Sequence, residues 1–409
     1  MYGLHIEEIL ILACCLVVLS YIFSIIARYI RVPSVLLLLF AGLGFRFIAD
    51  SYGFQLYLPP ALVEGLGVVG LIMIILEAGL DLKLEKKKIP LIRDSFFSAL
   101  VIFVLSTGLV TGILYYWLDE PVEKCLVYAI PLSIMSSTIV IPSIHPLTEQ
   151  KKEFLIYEAS FSDILGILVF NYFTAKEVLT WKSLGVFGGN IVVAVVLSLV
   201  FSFLLLLILA KTKLNIKFIL IFSLLVLIYS GGKMVNLPSL LIILVFGLMI
   251  NNWEKFRLKV LQKYFPHDEV VELRHLMHTI TAESSFLVRT FFFVLFGFSI
   301  QIQSVMNREV MLIGGSIVVA LFVIRLLYLR FFVHTNIFPE AFFIPRGLIT
   351  IVLFYKIPPH LGLISFNDAI LFFIILTTGI IMALGMIFYK KRPEQIVEEG
   401  QFAERPEIH

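Results

Sequence analysis

Apolar segments of about 20 residues recur along this chain from end to end, each long enough to cross roughly 30 Å of hydrocarbon. In a bilayer, backbone donors and acceptors must be paired within a helix or a closed sheet, and continuous rather than alternating apolar runs select helices. Of the 409 residues, 60% are hydrophobic and 15% charged, too little charge for a soluble domain of this size. An all-α, polytopic membrane protein is expected, with the lipid bilayer as a partner and no nucleic acid. Cys14, Cys15 and Cys125 read as packing residues rather than a disulfide framework or metal cage.

Hydropathy gives about thirteen spans, at 8–28, 33–49, 61–80, 91–117, 122–146, 154–175, 184–210, 216–232, 237–252, 280–301, 309–333, 338–356 and 365–389. Loop charges test that count. With Lys83, Lys86, Lys87, Lys88 and Arg93 placed in the cytoplasm, alternation brings Arg28, Arg31, Lys151, Lys152, Lys211, Lys213 and Lys217 to the same side. Lys255, Arg257, Lys259, Lys263, Arg274, Lys390, Lys391 and Arg392 follow them, while opposite loops hold isolated cations such as Arg46, Lys124, Lys233, Arg308 and Lys356. This bias predicts an N-terminus outside and a C-terminus in the cytoplasm, in an inner or plasma membrane. The first span lacks a basic lead and a small-residue cleavage site, so it is expected to be retained.

An odd number of spans makes spans 1–6 (8–175) and 8–13 (216–389) start on opposite sides, with span 7 (184–210) as a connector. The whole forms one transmembrane unit, 1–400, with a short tail at 401–409. Secondary transporters use such inverted repeats to build a midplane site from interrupted helices. The fifth span of each half carries a candidate break: Ser136-Ser137-Thr138-Ile139-Val140-Ile141-Pro142-Ser143, and Ile344-Pro345-Arg346-Gly347-Leu348-Ile349-Thr350. Proline removes a backbone donor, and hydroxyls or glycine ease unwinding. Paired broken helices follow. Residues 251–279 read as a partly helical cytoplasmic linker; His275 and His278, with no third ligand, read as solvated, as does Asp81.

Charges inside the spans need a partner or a task. Glu158 and Asp163 lie in span six, separated by about 7.5 Å of rise and about 140° of rotation, so they do not form one clamp. Asp163 is the deeper and the primary candidate; Glu158 reads equally as a structural partner or a site residue. Arg346, beside the second break, stays charged when buried and has Glu158 as a candidate partner. Arg325 either snorkels to the cytoplasmic edge or reaches Asp163. Arg289 serves gating or orientation, or pairs with Glu283. Glu77, in the last turn of span three, is an interfacial carboxylate or a cation ligand.

Together these residues resemble the monovalent cation:proton antiporter superfamily, over nearly the whole chain. Glu158-Ala159-Ser160-Phe161-Ser162-Asp163 is similar to its Glu-Ser-x-x-Asn-Asp stretch, and Leu76-Glu77-Ala78-Gly79-Leu80 to the segment ending its third span. Pro345-Arg346-Gly347 and Phe292-Phe293-Val294-Leu295-Phe296-Gly297 resemble its arginine-glycine break and its aromatic segment. The resemblance implies that Asp163 binds proton and cation, that Glu158 and Arg346 form a structural ion pair, and that Glu77 is an accessory ligand. It implies that Arg325 is the basic residue set against the carboxylate, and that the protein is a homodimer whose core domain, carrying two crossed broken helices, moves against a dimerisation domain. Ser162 and Ala159 depart from the pattern, and Ser136-Ser137-Thr138 looks like the potassium-effluxer branch, so Na+ and K+ both stay open.

Burial raises a carboxylate's pKa and a nearby cation lowers it, so one buried aspartate holds either a proton or a cation. Ser136, Ser137, Thr138 and Ser162 are expected to supply further oxygens for a hard cation. Competition at one site exposed alternately to two sides suffices for antiport, with no cofactor. An intramembrane enzyme would need a nucleophile–base set, a second deep aspartate or a metal cluster. A related organic-solute symporter would need a roomy polar cavity, a channel would not need paired breaks, and a membrane sensor would bind ion without flux.

Overall fold

The computed structural model describes residues 6–52, 60–82, 86–174, 196–204, 217–234, 239–252, 267–333 and 337–389, with positions 189 and 193. Its principal helices, in chain order, are α1 (Ile6–Ile30), α2 (Ser34–Ser51), α3 (Pro60–Asp81), α4 (Ile89–Leu118), α5 (Val122–Ser133), α6 (Ser137–Ser143) and α7 (Glu149–Thr174). Then come α8 (Lys217–Met234), α9 (Ser239–Asn251), α10 (His267–Ser299), α11 (Arg308–Tyr328), α12 (Leu348–Tyr355) and α13 (Asp368–Phe388). Among the described residues, six helical stretches are long and apolar enough to cross a membrane. Most of the expected connector 184–210, the loop cations of 253–266 and the tail after Tyr389 lie outside the described residues.

Polarity is distributed as lipid demands. Large apolar side chains such as Ile25, Tyr29, Phe47, Leu227 and Phe388 point outward, while Glu158, Asp163, Arg325 and Arg346 are buried. With hydrocarbon outside, helix association rests on close packing and internal polar contacts rather than on burying apolar surface. The chain is an integral, multi-pass, all-α membrane protein.

Helices α1, α2, α3, α8, α9 and α10 pack chiefly on one another, and so do α4 to α7 with α11 and α13; α12 touches α3, α5 and α10. Two close crossings tie the first group. A Cβ on Gly297 would lie 2.5 Å from the Leu39 carbonyl oxygen where α10 meets α2, and Gly42 faces Gly297 there. Gly79 and Gly247 repeat the arrangement between α3 and α9, with a Cβ on Gly79 falling 2.6 Å from the Leu244 oxygen. Only glycine permits such approach.

Both expected interruptions exist, each beginning slightly ahead of its expected segment. The first lies at 134–136, beginning two residues ahead of the expected Ser136–Ser143 segment and sharing Ser136 with it; Ile134 (ψ 127°) and Ser136 (ψ 113°) are extended there. Pro142 sits inside α6 instead. The second comprises a 3-10 turn, Glu340–Phe342, then non-helical 343–347 before α12. The two breaks meet: the Ser136 amide donates to the Pro345 carbonyl at 2.9 Å, and a Cβ on Gly347 would run into the Ser136 side chain. That tertiary contact locates the first break where the sequence alone could not.

The expected linker 251–279 is partly helical, since α10 begins at His267. His278 stands on that helix with its side chain exposed, and it contacts Asp81 at 2.9 Å.

The two ends of the bundle carry different contacts. At one end, Lys88 pairs with Glu153 and Lys151 with Glu340, and the Arg31 guanidinium donates to the Tyr389 carbonyl. His145 joins them, its pKa held down by burial and by the nearby Arg28 and Lys152. At the other end, the Glu120 carboxylate accepts the amides of Ile364 and Ser365.

Candidate functional site

Asp163 lies midway along α7, 4% exposed. Its Oδ2 accepts the amide of Ser137 at 3.3 Å and a short bond from the Ser137 hydroxyl. Ser137 reaches it because the break turns the first residue of α6 toward α7. Asp163 Oδ1 has no hydrogen-bond partner among the described residues. Leaving a buried polar atom unpaired costs about 1–3 kcal/mol, and more when the group is charged. Asp163 lines a narrow cleft whose opposite wall is Ile74, Ile75, Ala78, Leu240, Leu241 and Leu244, from α3 and α9.

The remaining oxygens expected around Asp163 are distributed differently. Ser136 and Thr138 share a hydrogen bond through their hydroxyls at 2.8 Å. Ser162 accepts the Met135 amide at 2.9 Å, bracing the break, and lines a separate cavity with Glu158, Arg325 and Arg346. Sequence reading missed Ser160. It sits three residues before Asp163, on the same side of α7, lines the same cleft, and its hydroxyl has no partner among the described residues. The i, i+3 spacing was the available signal.

The expected Glu158–Arg346 pair is replaced by Glu158–Arg325. Arg325 Nη2 and Nη1 lie 2.8 and 3.1 Å from the two Glu158 oxygens, and the Ser98 hydroxyl donates to Oε1 at 2.6 Å. The rotation separating Glu158 from Asp163 on α7 explains this, since it turns Glu158 toward α4 and α11. Arg325 neither snorkels nor reaches Asp163: it is 2% exposed, and its Nε donates to the Glu340 carbonyl at 2.6 Å.

Arg346 instead satisfies carbonyls. It donates to Leu132 at 2.6 Å and Ser133 at 3.4 Å, the last residues of α5, and to Ile344 at 2.9 Å. Unpaired carbonyls at a helix C-terminus carry partial negative charge that a cation offsets. Arg346 from one break thus neutralises the helix end exposed by the other.

Arg289 does not pair with Glu283, six residues back and about 240° round the helix. Its Nη2 lies 3.8 Å from Glu77 Oε1, and its Nη1 donates to the Thr138 carbonyl at 3.4 Å. Pro142, lacking an N–H, frees that carbonyl. Glu77 is thereby linked to α6 through Arg289, and no contact joins it to Asp163 among those described.

The family model described as sodium/hydrogen exchanger, transmembrane, matches residues 15–390. No curated protein matches the sequence. Among solved structures, the chain is similar to the sodium proton antiporter MjNhaP1 from Methanocaldococcus jannaschii at pH 8, with a TM-score of 0.66 and 19% identity over 94% of this chain and 99% of that one. An electron-microscopy map of the same antiporter gives a TM-score of 0.64 at 18% identity, covering 95% and 100% of the two chains. The likeness is one of fold.

Proposed function

The chain belongs to the sodium/hydrogen exchanger family, and on that premise we propose that it is a secondary active antiporter in which Na+ or K+ competes with a proton for Asp163. Cation/proton exchange is the chemistry of the family, a transporter's rather than an enzyme's. The observation that carries the finer reading is the half-satisfied carboxylate: Ser137 fixes Asp163 Oδ2, while Oδ1 is buried and unpartnered beside a cleft. One oxygen is positioned and the other remains available, to a proton or to a cation but not to both.

Alternating access then exposes Asp163 to each side in turn, as α4 to α7, α11 and α13 move against the other group. Inverted repeats are supported by the paired breaks and by the matched glycine crossings, α2 with α10 and α3 with α9, which join the second and third spans of one half to the third and second of the other. A cytoplasmic location for the end bearing Arg28, Arg31, Lys88, Lys151 and Lys152 is supported by their gathering there, and it puts the N-terminus outside. A homodimer is proposed from the family resemblance. Glu158–Arg325 and Arg346 hold the assembly, Arg289 orients Glu77, and Ser136, Thr138 and Ser162 shape the break.

Dissipation of a pH gradient by added Na+ or K+ in everted vesicles tests this. Asp163→Asn is expected to abolish exchange at normal membrane abundance; undiminished exchange would overturn the reading. Running Na+ and K+ separately across a neutral-to-alkaline series identifies the ion.

A further inference from the structure

We propose that Ser160 is a cation ligand of this site and, with Asp163 Oδ1, sets the affinity for the exchanged ion. The inference rests on the reading of Asp163 given above and adds a residue to it.

A buried serine in a helix ordinarily satisfies its hydroxyl on the carbonyl four residues back. Thr111, Ser133, Thr290 and Thr378 all do so here. Ser160, 1% exposed, does not, and finds no other partner among the described residues. Other buried hydroxyls are unpartnered too, including Ser106, Thr281 and Thr350, but those do not line the Asp163 cleft. Ser160 and Asp163 do, one helical turn apart, and each presents an oxygen without a hydrogen-bond donor.

A carboxylate oxygen and a hydroxyl oxygen are hard donors, the kind a monovalent alkali cation takes. The two sit on one rigid helix, so their spacing persists when the opposite wall moves. That wall is aliphatic in the residues that line it, so no side-chain oxygen from α3 or α9 competes. By contrast, the Ser162 hydroxyl is already committed to the Met135 amide. Ser160 can also donate its proton to a carboxylate, or keep its lone pairs for the cation while donating elsewhere, so it serves both the ion-free and the ion-bound site.

The test measures the half-maximal concentrations of NaCl, KCl and LiCl for exchange in proteoliposomes, alongside cation-dependent thermal stabilisation of the detergent-purified protein. Ser160→Ala is expected to raise the half-maximal concentration roughly tenfold, the equivalent of one lost ligand at about 1.4 kcal/mol, with the maximal rate retained. Cation-dependent stabilisation should weaken in parallel. Ser160→Thr keeps the oxygen and should restore wild-type affinity; it also guards against a folding defect in the alanine variant. Half-maximal concentrations within twofold of wild type for all three ions in Ser160→Ala would overturn the proposal. So would a loss of maximal rate with unchanged affinity, which marks a structural role. Asp163→Asn separates the two readings: if it too leaves exchange and stabilisation intact, the Asp163 reading fails; if it abolishes both while Ser160→Ala is silent, only this inference fails.

Discussion

Replacing Arg325 by methionine removes two of the three hydrogen bonds that the Glu158 carboxylate receives from side chains and keeps most of the volume of the arginine stem. The bonds lost are those from Nη1 at 3.1 Å and Nη2 at 2.8 Å, leaving the Ser98 hydroxyl at 2.6 Å. Hydrogen bonds to charged groups contribute about 1.5–3 kcal/mol each. Breaking one side of a buried ion pair costs about 3–5 kcal/mol, since the survivor keeps its desolvation penalty without its partner. Both routes give a similar loss for Arg325→Met, and Glu158→Met should match it by stranding Arg325 on the Glu340 carbonyl. Carrying both substitutions together removes both charges, so the double variant should lose much less than the sum. The assay is the temperature at which half of the monodisperse protein disappears after heating in detergent, read across the cycle. Additive losses for this pair, with strong coupling between Glu158 and Arg346 instead, would refute the assignment.

Two further outcomes follow from named contacts. Arg346→Met should lower the yield of monodisperse protein by stranding the carbonyls of Leu132 and Ile344, at about 1–3 kcal/mol each, and Arg346→Lys should recover only part of it because a single ammonium cannot reproduce the fork; normal yield with lost exchange would instead place Arg346 in the transport step. The backbone amide of Ile364, then that of Ser365 and the charge of Lys124, hold the Glu120 carboxyl below its ordinary value of 4.5. A lowered folded-state pKa contributes stability that is present above the unfolded value and lost as pH falls through the folded one. Thermal stability titrated downward through pH 4.5 should therefore fall less steeply in Glu120→Gln than in the wild type, and equal slopes would count against it.

The spans were legible because bilayer thickness sets their length and lipid sets their composition. Asp163 was legible because a lone carboxylate in such a segment needs a reason. Partner choice was not. Glu158 and Arg346 had matching charges, yet which arginine meets Glu158 depends on how α4 and α11 are rotated against α7, and rotation is a property of packing. The first break shows the same limit. Pro142 marked the neighbourhood, but the interruption is at 134–136, where partners from the second break, Arg346 and the Pro345 carbonyl, take up the freed backbone groups. Pro142 acts at a distance, by releasing the Thr138 carbonyl to Arg289. Ser160 went unnoticed because a serine in a helix ordinarily needs no explanation; only its missing partner sets it apart.

The glycine crossings at Gly42–Gly297 and Gly79–Gly247 have a mechanical consequence. Where backbones touch, no layer of side chains lies between them whose rotamers could change to absorb sliding. Helices α2, α3, α9 and α10 are thereby keyed together like a rail, and displacement is left to surfaces padded with flexible aliphatic side chains. The wall formed by Ile74, Ile75, Leu240, Leu241 and Leu244 is such a surface, smooth and without hydrogen-bonding side chains to catch on. Enlarging a glycine at a crossing would loosen the rail itself, so its effect should reach Asp163 without any contact with it.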